Sequence, residues 1–194
     1  MYNVFFNYLK KFNSEPLSDD EKILLRQAFI PSKLRKRQFL LQAGGQSKYF
    51  GFIVKGAMRM FTVDDKGTEH IVRLGVEEWW MGDRESWAMG TPSSYHIDAW
   101  ENTELLLIDK DKTNELLKTA PAFCEMIRQL DERNNIANNR RLTSSISSSV
   151  EKRYEDFIMY YPELVNRFPQ HIIASYLGVN KDTLSRVRRQ RFLK

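Results

Sequence analysis

Apolar positions change their period along the chain, and each change marks a different kind of element. Ser18-Asp19-Asp20-Glu21 reads as a capping box in front of Ile23, Leu24, Ala28 and Phe29, whose spacing predicts a helix that stops at Pro31. From Leu34 to Ile108 turn signals interrupt the chain every eight to twelve residues, at Gly44-Gly45, Lys55-Gly56, Asp64 to Gly67, Thr91 to Ser94 and Glu101-Asn102. The segments between them include Phe50 to Val54, Ala57 to Val63, Glu69 to Leu74, Tyr95 to Trp100 and Glu104 to Ile108. They are rich in aromatic and β-branched residues and predict strands. Many short strands at even spacing imply a β-sandwich, roll or barrel.

Helical periodicity returns after Asp109, with Leu116-Leu117 before Pro121 and no Gly or Pro from Ala122 to Tyr161. Phe123, Ile127, Leu130, Asn134 and Ala137 follow one another at alternating steps of four and three, the seam of a two-stranded coiled coil in which Asn134 would fix register. The alternative is that the stripe packs on the chain's own β-domain, but the run is too long for a small roll to cover. Thr143 to Ser149 reads as a hinge, with Ser149 as N-cap of a helix that buries Val150, Tyr154, Phe157, Ile158 and Tyr161 and ends at Pro162.

The chain of 194 residues has room for a large domain and a small one. Its formal charge of +5 is unevenly spread, because residues 165–194 hold seven Lys/Arg against one acid. The remainder is nearly neutral, so the positive excess sits where a segment meeting phosphates would carry it. No apolar run approaches a membrane span and the first residues lack the zones of a signal peptide, which places the protein in the cytoplasm without a membrane partner. A single cysteine, Cys124, excludes an intramolecular disulfide, a multi-cysteine zinc site or a cysteine-ligated cluster, and reads as a small buried apolar residue. Three histidines without a nucleophile motif or a phosphate-binding glycine loop argue against an enzyme. His70 and His96 are the only openings for a haem or metal sensor, and a lone histidine on a strand is ordinarily packed or exposed. No catalytic residue, metal ligand or cofactor is therefore assigned.

Gln170 to Arg189 reads as two helices about a tight turn. Ala174 is small where the second helix crosses, Gly178 supplies the positive φ of the turn, and Asn180 caps the second helix. Ile173, Leu177, Val179, Leu184 and Val187 point into a shared core. That leaves Lys181, Asp182, Ser185, Arg186 and Arg189 on the outer face of the second helix, where a helix-turn-helix presents side chains to the major groove.

The order of β-roll, long helix and helix-turn-helix resembles the Crp/Fnr family of regulators. The stretches Glu151-Lys152-Arg153-Tyr154 and Arg167 through Arg189 are similar to the branch found in Bacteroidetes. The resemblance implies an α+β fold in three parts. Residues 1–120 would form a β-roll, or double-stranded β-helix, of the cyclic-nucleotide-binding type with an N-terminal helix. Residues 121–148 would form a dimerisation helix and hinge, and residues 149–194 an all-α helix-turn-helix domain. It also implies a homodimeric, sequence-specific transcription regulator on palindromic double-stranded DNA, with RNA polymerase as a further partner. Base-reading positions would fall on Lys181, Asp182 and Arg186, and Thr183 would hold phosphate. The sequence leaves no room after the second helix for the β-hairpin wing of other members.

In such rolls a Gly-Glu helix start and a following Arg hold a cyclic phosphate and ribose. Here Met81-Gly82-Asp83-Arg84 and Ser93-Ser94-Tyr95 stand in those places, with Ser93 where the arginine belongs. That substitution argues against a cyclic nucleotide and leaves the effector unnamed, with Arg73, Trp80, Gly82, Asp83, Arg84, Ser93 and Ser94 as the candidate pocket. All four tryptophans lie nearby, alongside Tyr95 and His96, either as walls for a flat effector or as filling for the roll and its dimer-facing surface. The competing function is a ligand-binding regulator that acts on protein partners through a vestigial DNA-binding domain.

Overall fold

The structure, a computed structural model, describes residues 1–191, with the side chain of Arg191 left aside. Two helices, α1 (Tyr2–Leu9) and α2 (Asp19–Ala28), precede eight strands. These are β1 (Ile30–Leu34), β2 (Phe39–Leu41), β3 (Phe50–Lys55), β4 (Met58–Val63), β5 (Glu69–Gly75), β6 (Trp80–Met81), β7 (His96–Ala99) and β8 (Thr103–Ile108), with the short helix α3 (Arg84–Met89) after β6. Helices α4 (Lys110–Thr119), α5 (Pro121–Ser147), α6 (Val150–Tyr160), α7 (Pro162–Arg167), α8 (Gln170–Tyr176) and α9 (Lys181–Arg191) complete the order. The architecture is the α+β roll, long helix and C-terminal helical domain that the sequence implies. A wing would come after α9, so its expected absence lies outside the described residues.

The strands form two antiparallel four-stranded sheets, in the orders β1-β8-β3-β6 and β2-β7-β4-β5. Alternation along β3 and β8 explains how they stack. Phe52, Val54, Leu106 and Ile108 face one core with α1, α2 and the start of α5, while Ile53, Leu105 and Leu107 face the roll interior with Met58, Met60 and Ile97. With both faces covered, these strands read as continuous apolar runs. The outer face of the second sheet meets the C-terminal helices in a third cluster. Strands β3, β4, β5, β7 and β8 lie within a residue or two of where the sequence puts them. Three were not legible: β1 is an edge strand holding Pro31 and burying only Leu34, and β2 and β6 are too short to show a period. Pro31 therefore sits inside β1, and α2 ends earlier at Ala28.

The capping box at Ser18 and Glu21 is present. Glu21 also reaches the backbone N–H of Ala122 at 3.1 Å, capping the otherwise uncapped start of α5. The 27-residue α5 buries Ala122, Phe123 and Met126 in the N-terminal core, and Ile127 and Leu130 lean on the same core. The first half of the expected coiled-coil seam is thus spent within the chain. Cys124 lies on the opposite side of the helix and is exposed, contrary to its reading as a buried residue. The expected hinge from Thr143 narrows to Ser148 and Ser149. Ser145 and Ser147 donate their hydroxyls to the carbonyls of Leu142 and Thr143, so these side chains are satisfied within the helix and the run stays helical. Ser149 caps α6 by accepting from the Lys152 N–H at 3.2 Å. Pro162 ends α6 and opens α7, at the position where its missing N–H costs nothing.

Gly56, at φ +105°, carries the tight turn between β3 and β4. A Cβ there would stand 2.6 Å from Thr103 Oγ1 and 2.7 Å from the Asn102 carbonyl. Replacing Gly56 with Ala is expected to cost about 1–3 kcal/mol through strain and collision. Urea unfolding measures this as a lower midpoint with an unchanged slope; a wild-type midpoint would contradict the assignment.

Candidate nucleic-acid interface

The turn between α8 and α9 is built by its backbone. Leu177 ends α8, Gly178 takes φ +68°, and the N–H groups of Gly178 and Val179 return to the carbonyls of Ser175 and Ala174 at 3.0 Å each. This double closure is the Schellman pattern, which requires a residue tolerant of the left-handed region at the position of Gly178. Asn180 then accepts from the Thr183 N–H at 2.7 Å and starts α9. Ala174, Leu184 and Val187 are buried between the helices. On the opposite face Lys181, Asp182, Arg186 and Arg189 are exposed, and Thr183 and Ser185 are half-buried. Arg186 folds back to donate weakly to Thr183 Oγ1 at 3.4 Å. The residues singled out on α9 therefore share one side, with Arg188 half-buried beside them.

The helical domain is seated on the second sheet. Phe61, Ile71, Leu74 and Val76 of the roll share a core with Tyr154, Phe157, Leu164, Phe168, Ile172 and Ile173. Ser175 Oγ accepts from the Ile71 N–H at 2.9 Å and donates to the Glu69 carbonyl at 3.2 Å, so α8 extends the hydrogen bonding of β5. Arg167 forks between two acids of the roll, bonding Glu77 at 2.9 and 3.2 Å and Glu101 at 3.0 and 2.7 Å. Burial works to raise the Glu77 pKa, but Arg167 and the Gly56 N–H outweigh it and hold that carboxyl below its ordinary value. Glu101 and then Glu77 raise the pKa of Arg167 in return. Arg141 of α5 ties the parts together, donating to the carbonyls of Val72 and Tyr176. Sequence reasoning missed Arg141, Arg167, Ser175, Glu77 and Glu101 as docking residues. Their partners lie 35 to 106 positions away, so no local pattern in the sequence pointed to them.

The residues expected to form an effector pocket in the roll are engaged in separate local contacts. Gly82 lies against the Phe50 ring, which a Cβ would approach to 2.7 Å, so glycine is needed there for packing. Asp83 is buried and caps α3, accepting from Glu85 and Ser86. Arg84 forms a forked ion pair with Asp131 of α5, at 2.8 Å for Nη2 to Oδ2. Ser93 is buried and bonds Tyr95, while Ser94 is exposed. Trp80 packs among Phe5, Phe29 and Phe52. The other tryptophans are divided too: Trp87 meets Phe50, Trp79 meets Tyr161, and Trp100 meets Phe168. Arg73 stands apart on β5, half-buried, and burial followed by the charges of Arg141 and Arg84 pushes its pKa down. His70 pairs with Asp64, and His96 accepts from the Ala43 N–H while stacking on Phe61.

Residues 31–120 match the family model of the cyclic nucleotide-binding domain. No curated protein matches the sequence. Among solved structures, the chain is similar to FixK2 from Bradyrhizobium japonicum, with TM-score 0.71 and 14% identity over 84% of this chain and 83% of that one. It is similar to a transcriptional regulator of the Crp/Fnr family from Eubacterium rectale, with TM-score 0.64 and 15% identity over 91% and 84%. It is also similar to the catabolite activator protein of Thermus thermophilus, with TM-score 0.53 and 20% identity over 90% and 83%. At these identities the likeness is one of fold.

The Arg167 fork makes the seating of the helical domain depend on pH. Because the folded pKa of Glu77 is depressed, its contribution is present above the ordinary glutamate value, about 4.3, and is lost as pH falls through the folded value. Arg167→Gln would leave two carboxylates facing each other. With the groups about a third exposed, the loss should be only about 1 kcal/mol, or roughly 2–4 °C in melting temperature at pH 7. The gap between wild type and variant should close below about pH 4. A gap that is absent at pH 7, or that widens in acid, would show that the fork contributes nothing to docking.

Proposed function

We propose that this chain, whose residues 31–120 match the cyclic nucleotide-binding domain model and whose fold is that of solved Crp/Fnr regulators, is a homodimeric, sequence-specific DNA-binding regulator. One observation carries the reading. The outward face of α9 bears Lys181, Asp182, Arg186 and Arg189 in the open, within the segment that holds the chain's positive excess. Arg186 reads base edges, where its planar fork matches guanine O6 and N7, and Lys181 contacts phosphate. Asp182 and Arg189 flank them, with Thr183 and Ser185 as shorter-range donors to the backbone. Release of Arg186 from Thr183 on binding would cost little, since that bond is long.

Dimerisation through α5 is supported by the apolar residues that the helix leaves uncovered. Phe123 is buried in its own core, while Ile136, Leu142 and Ile146 are 52, 61 and 78% exposed along the second half of the helix. Residues 1–120, 121–148 and 149–194 then act as roll, connector and reading head. Two heads related by a two-fold axis address two half-sites of one palindrome.

Two measurements test these assignments. Arg186→Ala should cost roughly 1–3 kcal/mol on a cognate site and relax preference at one base position, whereas Lys181→Ala should weaken all sequences alike and lower the salt slope by about one. Equal losses on all sequences for Arg186→Ala would remove it from base reading. For the dimer, the Ile136→Glu and Ile146→Glu double variant should halve the mass seen by light scattering without loss of helix content. A mass unchanged from wild type would place the dimer contact elsewhere.

A further inference from the structure

A cavity of about 420 Å³ opens where α5, α6 and the end of α8 meet, and no strand of the roll lines it. Its walls come from residues 137–145, 153–161 and 175–178. They carry three arginines, Arg140, Arg141 and Arg153, against one acid, Asp156, which Lys152 already pairs at 2.9 Å. Among the described residues none of the three arginines forms an ion pair. Backbone carbonyls hold two of them instead: Tyr176 accepts from Arg141 at 3.0 Å, and Leu177 accepts from Arg153 at 2.7 Å. The Nε–H of Arg153 is buried without any acceptor among the described residues. Buried donors in folded proteins are nearly always satisfied, so this guanidinium, which belongs to a residue lining the cavity, keeps hydrogen-bonding capacity that the described residues do not use.

The rest of the wall is aromatic. Arg141 lies over the Tyr176 ring at 4.1 Å and Arg140 over the Tyr160 ring at 4.4 Å, with Phe157 and Tyr161 beside them. Arg73 adds a fourth cation close to Arg141, and its lowered pKa reflects that crowding after burial. The volume falls within the roughly 300–1,000 Å³ of small-molecule sites, which combine apolar walls with a few directed polar groups. Uncompensated guanidinium groups in a partly dry space favour a planar oxyanion, which they meet with paired N–H donors.

We propose that this cavity binds a small aromatic oxyanion, a flat ring bearing a carboxylate or a phosphate, with the anion on Arg153 and Arg141 and the ring against Tyr160 and Tyr176. The site touches Ser175 to Gly178, the turn that aims α9, so occupancy shifts DNA affinity. That consequence rests on the DNA-binding reading; the binding itself does not.

Calorimetry on the full chain without DNA tests the site with 2-naphthoate and 1-naphthyl phosphate, against neutral 2-naphthalenemethanol and inorganic phosphate. At least one aryl anion should bind with a dissociation constant below roughly 1 mM, and both controls should be at least about tenfold weaker. Binding of only the carboxylate or only the phosphate supports the site and names its anion. Arg153→Gln should weaken the aryl anion by roughly tenfold, with partial rescue by Arg153→Lys. Since Arg153 also bonds Leu177, Ser144→Trp gives a second test by filling the cavity from α5. It should abolish binding while the melting temperature stays near wild type. Failure of both aryl anions to bind, equal binding of the neutral analogue, or full binding by the Ser144→Trp variant would each overturn the proposal.

Discussion

The contact between the outer face of the β2-β7-β4-β5 sheet and helices α6 to α9 governs what the rest of the molecule can do. Phe61, Ile71, Leu74 and Val76 on the sheet would be an exposed apolar patch if the helices left, and Phe157, Leu164, Phe168 and Ile172 would lose their core. Burial of such side chains is worth roughly 1.5–3 kcal/mol each, well above anything a partly exposed ion pair supplies. The Arg167 fork to Glu77 and Glu101 therefore sets where the domain sits more than how tightly. Ser175 does the same by joining the β5 backbone. Once α8 is fixed in this way, the Gly178 turn and the Asn180 cap leave α9 one direction to point, with its basic face outward.

The same contact explains the buried charge beneath it. Arg59 forks to Asp98 and also reaches Glu69, while its guanidinium lies over the rings of Phe61 and Trp100 at 4.3 and 5.4 Å. Removal of Arg59 would strand the buried Asp98 carboxylate under the docking cluster, the kind of change that costs most. The roll thus serves as a platform on this side. On its other side the polar groups at the position of a nucleotide site are engaged locally, Asp83 as a helix cap and Ser93 in a turn. The arginine-rich space at the α5, α6 and α8 junction is left with donors to spare.

Most of the architecture was legible because local chemistry and tertiary context agreed. The capping box at Ser18, the glycine at 178 and the Asn180 cap are local devices, and each appears as its residue type demands. Strands β3, β4, β5, β7 and β8 announced themselves through β-branched and aromatic runs. The elements that stayed hidden depended on partners distant in sequence. Helix α1 has apolar residues on nearly every side and no capping signal, and it is helical because Phe5 and Leu9 are fully buried against the roll and α5. The stripe from Phe123 has the right spacing for a coiled coil, and spacing alone does not say which surface will cover it. The serine run before α6 looked like a hinge by composition, yet through Ser147 it is helical, with hydroxyls bonded back to the preceding turn. The Arg153 and Arg141 cavity was invisible for the same reason as the Arg167 fork, since its walls come from three separate helices.

Whether two outward α9 faces read a symmetric DNA site is tested most directly by selecting binding sites from a random duplex pool with the full-length protein. The expected result is an enriched two-fold symmetric sequence whose half-sites are centred about 34 Å apart, or a multiple of that, with affinity falling steeply as salt rises. A pool that emerges without sequence preference, or one enriched only for a single asymmetric half-site, would contradict it.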